Sequence, residues 1–155
     1  MIKSTINISE KEDFLEMVAG KVFHATDGVN VDSIINDGAI VPNSDLSKRS
    51  IFGNSAKGYF RARGCVSFFD YRHYGSAEWK EHAYKCFPIS ETSQSNSTAI
   101  FFLQDTEYSK LLPWSDWKKE EAWSERVVPH IEAGYKGKVL VQCINQLLVV
   151  HHGRS

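Results

Sequence analysis

Val31, Ile34 and Ile35 recur at i, i+3 and i+4 in a polar setting, and this period predicts a short helix with one buried face. Asn30 stands where an N-cap would accept orphan backbone N–H groups, and Gly38 follows the last apolar position, where a left-handed residue ends a helix. On both sides the pattern changes to β-formers, residues 21–25 before the helix and 39–41 after it. The block therefore predicts strand, helix, strand. His24 and Thr26 fall where the first strand meets the helix, a position from which a polar pair can grip a small ligand.

The same reading extends along the chain. Phe14, Leu15 and Val18 form an apolar stripe behind Ser9 and Glu12, which have capping-box spacing, so a helix is expected from Ser9 to near Gly20. Residues 43–63 show no period, are basic in patches (Lys48, Arg49, Lys57, Arg61, Arg63) and predict a long loop of the kind used as a lid or binding segment. Residues 65–70 predict a buried strand, 76–86 a short helix, 91–98 a polar linker, and 99–103 a strand covered on both faces. A helical turn at 108–112 ends at Pro113, a late strand opens with Glu125, and 138–143 and 147–150 supply two more strands. Many strands with few helices, and no internal repeat, give one α+β domain spanning 1–155.

Composition narrows the function classes. A net charge of -1 provides no global field to hold a polyanion, so any nucleic-acid contact is local. No apolar run approaches the ~18 residues of a membrane span, and Met1-Ile2-Lys3-Ser4 lacks the apolar core of a secretory signal, so a cytoplasmic location without membrane contact is expected. Cys65, Cys86 and Cys143 are odd in number and without a C-x-x-C pair, which suits reduced thiols. His82 with Cys86, and His151 with His152, lack the second cluster of a zinc site, so no metal is expected.

Three features taken together resemble the ADP-ribosyltransferase superfamily, which includes poly(ADP-ribose) polymerases, RNA 2′-phosphotransferases and DarT-type DNA-modifying toxins. Phe23-His24-Ala25-Thr26 is similar to the family's Y-H-x-T strand end, Ile34-Ile35-Asn36-Asp37-Gly38-Ala39 to its following I-L-x-x-G-L, and Glu125 to its late glutamate. The resemblance implies a split pair of mostly antiparallel sheets clamping NAD, with transfer of ADP-ribose and loss of nicotinamide. Cleavage builds positive charge on the ribose, so a fixed carboxylate lowers the barrier, and Glu125 is the implied catalytic group.

By the same resemblance His24 bonds a ribose hydroxyl, the Ala25 backbone grips the nicotinamide amide, and Thr26 supports the nearby ribose. The middle motif has two placements, Tyr59 in the loop and Ser67 in the strand, with Ser67 preferred. Arg61 and Arg63 would pair with the pyrophosphate. Trp114, Trp117 and Trp123 would form an acceptor-recognition loop on which a nucleobase could stack. Trp123 stands two before Glu125, where arginine-modifying branches carry a carboxylate or amide, which argues against a guanidinium acceptor. The expected partners are NAD, a DNA, RNA or protein acceptor with nucleic acid ahead, and a neutralising protein if the chain is a toxin. Plainer roles stand beside these: a structural histidine, solvated arginines, core tryptophans, and Glu125 in a surface ion pair. The alternatives in function are a non-catalytic nucleotide or nucleic-acid-end binder, an NAD glycohydrolase, and an RNA 2′-phosphotransferase-like enzyme.

Overall fold

Every residue of Ser97–Leu103 is buried, and this strand, β5, has a neighbour on each side. A computed structural model describes residues 1–8, 11–42, 58–89 and 96–152. The other strands are β1 (Ile2–Asn7), β2 (Val22–Asp27), β3 (Ala39–Ile40), β4 (Cys65–Asp70), β6 (Leu112–Pro113), β7 (Glu132–Lys136), β8 (Val139–Leu140) and β9 (Ile144–His151). The helices are α1 (Lys11–Val18), α2 (Val31–Asp37), α3 (Tyr59–Ala62), α4 (Ala77–His82) and α5 (Ser115–Lys119). Seven strands form one sheet in the order β1-β9-β5-β2-β4-β7-β6, and β3 pairs with β8 in a second. All the pairings are antiparallel except β1 with β9, so the α+β class with mostly antiparallel sheets is as expected.

Alternation along the strands feeds two cores. Ile100 and Phe102 of β5 join Phe14, Phe23, Phe69, Tyr71 and Trp79 on one face, which α1 and α4 cover. Ala99, Phe101 and Leu103 turn the other way to meet Val31, Ile34, Phe68, Val139 and Leu147, beneath α2 and the small sheet. At roughly 1.5–3 kcal/mol for each fully buried aromatic or aliphatic side chain, these two layers are the main source of stability. Tyr59, Phe60 and Cys65 form a third cluster with Leu112, Trp117, Ala122 and Val127.

The sheet parts at its middle. β2 pairs with β4 through Val22–Asp70 and Phe23–Phe69, whereas it follows β5 from Phe23 to Asp27. Beyond Phe23 it therefore travels with β5 while β4 travels with β7. This divergence opens beside His24, Ala25 and Thr26.

Several boundaries differ from expectation. Gly38 ends α2 at φ 73° as predicted, but Asn30 makes no side-chain cap; its amide donates to Thr26 Oγ1 at 2.9 Å. Asp27 caps the preceding 3-10 turn instead, accepting from the Val29 N–H at 3.0 Å. Residues 59–62 are helix rather than loop, because Tyr59 and Phe60 are drawn into the third cluster. Glu125 opens no strand: Arg126 makes only an isolated bridge to Gly58, Pro129 interrupts the run, and the late strand begins at Glu132. Ser97 and Thr98 belong to β5 rather than to a linker, and β8 is followed by a 3-10 turn at Val141–Cys143. Ser9 of the capping box, residues 91–95 of the linker, and Lys48, Arg49 and Lys57 lie outside the described residues. Among the described residues no helix is long and apolar enough to cross a membrane.

Candidate functional site

Ser67 is the one exposed position in an otherwise covered β4, and it touches both of the other groups that define the site. Its main-chain carbonyl accepts from His24 Nδ1 at 2.8 Å, across the opening between β2 and β4. Its hydroxyl lies 3.4 Å from Glu132 Oε2 on β7. His24 thus meets the Ser67 main chain, its ring 5.9 Å from that of Phe68 of the second core, whereas Glu132 meets the Ser67 hydroxyl and stands level with Phe69 of the first.

The electrostatics of the three groups are set by their surroundings. A carbonyl can only accept, so His24 carries its proton on Nδ1 and leaves Nε2 as an acceptor in the neutral ring. Burial lowers the His24 pKa from its ordinary value, opposed by the hydrogen bond to Ser67. Burial pushes the Glu132 carboxyl up to about 7, against the pull of the Val128 N–H, which bonds Oε1 at 2.9 Å, and of the Ser67 hydroxyl. A carboxyl that ionises near neutrality can hold a developing cation or take a proton. The same surroundings push the half-buried Cys86 thiol up to about 12, first by burial and then by the Glu132 charge, so the segment that follows α4 adjoins the site.

Glu125, the glutamate singled out from the sequence, belongs to a different cluster. Both of its oxygens accept from Arg63 Nη1, at 2.9 and 3.1 Å. Arg63 makes further bonds there: Nη2 and Nε donate to Glu120 Oε1 at 2.8 and 3.2 Å, and Nη1 also reaches the Tyr59 carbonyl at 3.0 Å. Its guanidinium carbon stands 3.7 Å from the centre of the Tyr59 ring. Tyr59 is 1% exposed and its hydroxyl donates to Glu120 Oε2. These bonds from Tyr59, then Arg63, hold the Glu120 carboxyl below its ordinary range. The cluster ties α3 to the segment after α5, and in it Tyr59, Arg63 and Glu125, three residues singled out from the sequence, are engaged with one another and with Glu120. Arg61 lies on the same short helix.

The three tryptophans also separate. Trp117 packs in the third cluster and donates its indole N–H to the Glu125 carbonyl at 2.9 Å. Trp123 is 58% exposed and stands edge-on to Trp117 at 4.7 Å. Trp114 is half-buried and contacts the His130 ring at 4.5 Å. They form no common platform.

Ala25 is buried on β2, and Thr26 holds Asn30, so the strand end and the 3-10 turn after it are tied together. Among the described residues no group of His, Cys, Asp or Glu is arranged to hold a metal ion. Glu132 had one signal in the sequence: Ile131, Ala133 and Tyr135 alternate, and all three are buried. Comparison with protein-family models, curated proteins and solved structures finds no match for the chain.

Proposed function

We propose that this chain is an NAD-dependent ADP-ribosyltransferase in which Glu132, rather than Glu125, supplies the carboxylate. The observation that carries the reading is that Ser67 joins His24 and Glu132 across the parted strands. Histidine, serine and glutamate follow one another in the order of the family's motifs, on strands that are neighbours in the sheet. The divergence of β2 from β4 beyond Phe23 supports the reading, since the dinucleotide would enter between them.

In this reading His24 Nε2 accepts from a ribose hydroxyl, and the edge of β2 that has turned away from β4 offers main-chain groups near Ala25 to the nicotinamide amide. The bond between ribose C1′ and the nicotinamide nitrogen breaks, its electron pair neutralising the pyridinium ring. Positive charge spreads over C1′ and the ring oxygen, where ionised Glu132 stabilises it. An acceptor nucleophile then forms a bond to C1′ and gives its proton to Glu132 and on to water. His130 stands two positions before Glu132, in the place first assigned to Trp123, and it too is neither a carboxylate nor an amide.

The test is release of nicotinamide from labelled NAD in the presence of DNA, RNA and protein acceptors. Glu132→Gln keeps an acceptor for the Val128 N–H and removes the charge, so the rate is expected to fall by ~10²-fold or more. A parent chain that consumes no NAD with any acceptor, or a Glu132→Gln variant as fast as the parent, overturns the reading. NAD binding without turnover in both chains would make this a nucleotide-binding module.

A further inference from the structure

Trp114, His130 and His82 form a row of rings that the described packing clusters do not absorb. Trp114 and His130 have centroids 4.5 Å apart, and His130 and His82 lie 5.5 Å apart with planes inclined by 25°. His130 adopts φ 64°, a left-handed conformation uncommon for a non-glycine residue, and it does so in the turn that leads into β7. The row is half-exposed, and Trp114 belongs to none of the three packed clusters.

The row also lies beside the proposed carboxylate. Leu112 and Pro113 pair with Gly134 and Ala133, and Trp114 follows directly, where the chain turns from β6 into α5. His130 precedes Glu132 by two residues, and His82 ends α4, next to the segment that carries Cys86. At the far end Lys85 Nζ donates to His82 Nδ1 at 2.7 Å, which leaves the imidazole uncharged with its proton on Nε2. Exposed Glu81 and Lys85 both act on His82, so the row's end carries one ammonium and one carboxylate, with no strong field of either sign.

We propose that the Trp114–His130–His82 row is the platform on which an unpaired nucleobase of a DNA or RNA strand stacks, with Lys85 meeting a backbone phosphate. This names the acceptor of the transferase reading and rests on that reading for its link to Glu132. Aromatic rings in series suit a planar heterocycle, whose stacking tolerates any base. A single lysine at one end is the local contact compatible with a chain whose net charge is -1.

The experiment titrates the full chain, without NAD, into fluorescently labelled single-stranded DNA and RNA homopolymers and into a duplex of the same length, reading anisotropy. Single strands are expected to bind more tightly than the duplex, whose bases are hidden. Trp114→Ala should weaken single-strand binding about tenfold, and Trp114→Phe should restore most of it. Tyr84→Ser, at an aromatic 80% exposed and outside the row, is the control expected to bind as the parent does. Absence of binding, equal affinity of Trp114→Ala and parent, or an equal loss in Tyr84→Ser overturns the proposal, as does label transfer to protein by a chain that ignores nucleic acid. Because these titrations omit NAD, a chain that binds single strands through the row yet never releases nicotinamide refutes the transferase reading and leaves the platform standing.

Discussion

The Glu125 carboxylate receives both of its hydrogen bonds from one nitrogen of Arg63, at 2.9 and 3.1 Å. That guanidinium also holds Glu120 and lies over the Tyr59 ring, so it fastens α3 to the segment following α5. Replacing Arg63 with Ala should cost about 1–3 kcal/mol, from lost charge-assisted bonds and the cation–ring contact. Glu125→Gln should cost less, about 0.5–1 kcal/mol, because the pair is partly solvated. Urea denaturation checks both, and added salt should shrink the difference between parent and Glu125→Gln.

Glu132 makes both activity and stability depend on pH. If its ionised form is the working one, nicotinamide release should rise between pH 6 and pH 8 with a midpoint near its pKa of about 7. Stability runs the other way. A carboxyl whose pKa rises on folding from 4.5 to about 7 binds its proton more tightly in the native state, so its contribution is full below 4.5 and is lost as the pH passes 7. Glu132→Gln escapes that loss and should be more stable than the parent by up to about 3 kcal/mol at pH 8, but not at pH 4. Thermal melts at the two pH values decide it.

Gly134 is a packing requirement. A Cβ built there would lie 2.2 Å from Phe60 Cδ1, inside a cluster where Phe60 is 0% exposed. Gly134→Ala should therefore destabilise by about 1–3 kcal/mol through overpacking. Adding Phe60→Leu to that variant should recover part of the loss, and a double-mutant cycle measures how much.

Gly38 is a conformational requirement of a different kind, since its φ of 73° is left-handed and nothing lies within 4 Å of an added Cβ. Gly38→Ala should cost about 1 kcal/mol, all of it backbone strain, and Gly38→Asn less. Chemical denaturation of the two variants should rank them in that order.

What was legible in the sequence was what neighbouring residues decide. Cys65–Asp70 is a strand at the bounds expected, and β5 is covered on both faces as its unbroken apolar run implied. α2 runs to Gly38 as its period and its glycine required. What escaped depends on distant partners. Tyr59 sits in a polar stretch and is helical and buried because residues 112–127 fold over it. β7 went unseen because Gly134, which the Phe60 ring demands, weakens its strand pattern, while Val127 and Val128 offered a stronger one that Pro129 then breaks. The proposed site inherits that division. His24 and Ser67 lie on strands that the sequence predicts, whereas the proposed Glu132 lies on β7, which it does not.

β1 lies at the outer edge of the large sheet and runs alongside β9, with Ile2 opposite Gln146 and Asn7 opposite His151. On the ribosome the first strand leaves the exit tunnel long before the one it docks against. Segment 2–7 must wait in an unpaired state until residues 144–151 have been made, so this pairing closes late and over a long stretch of intervening chain.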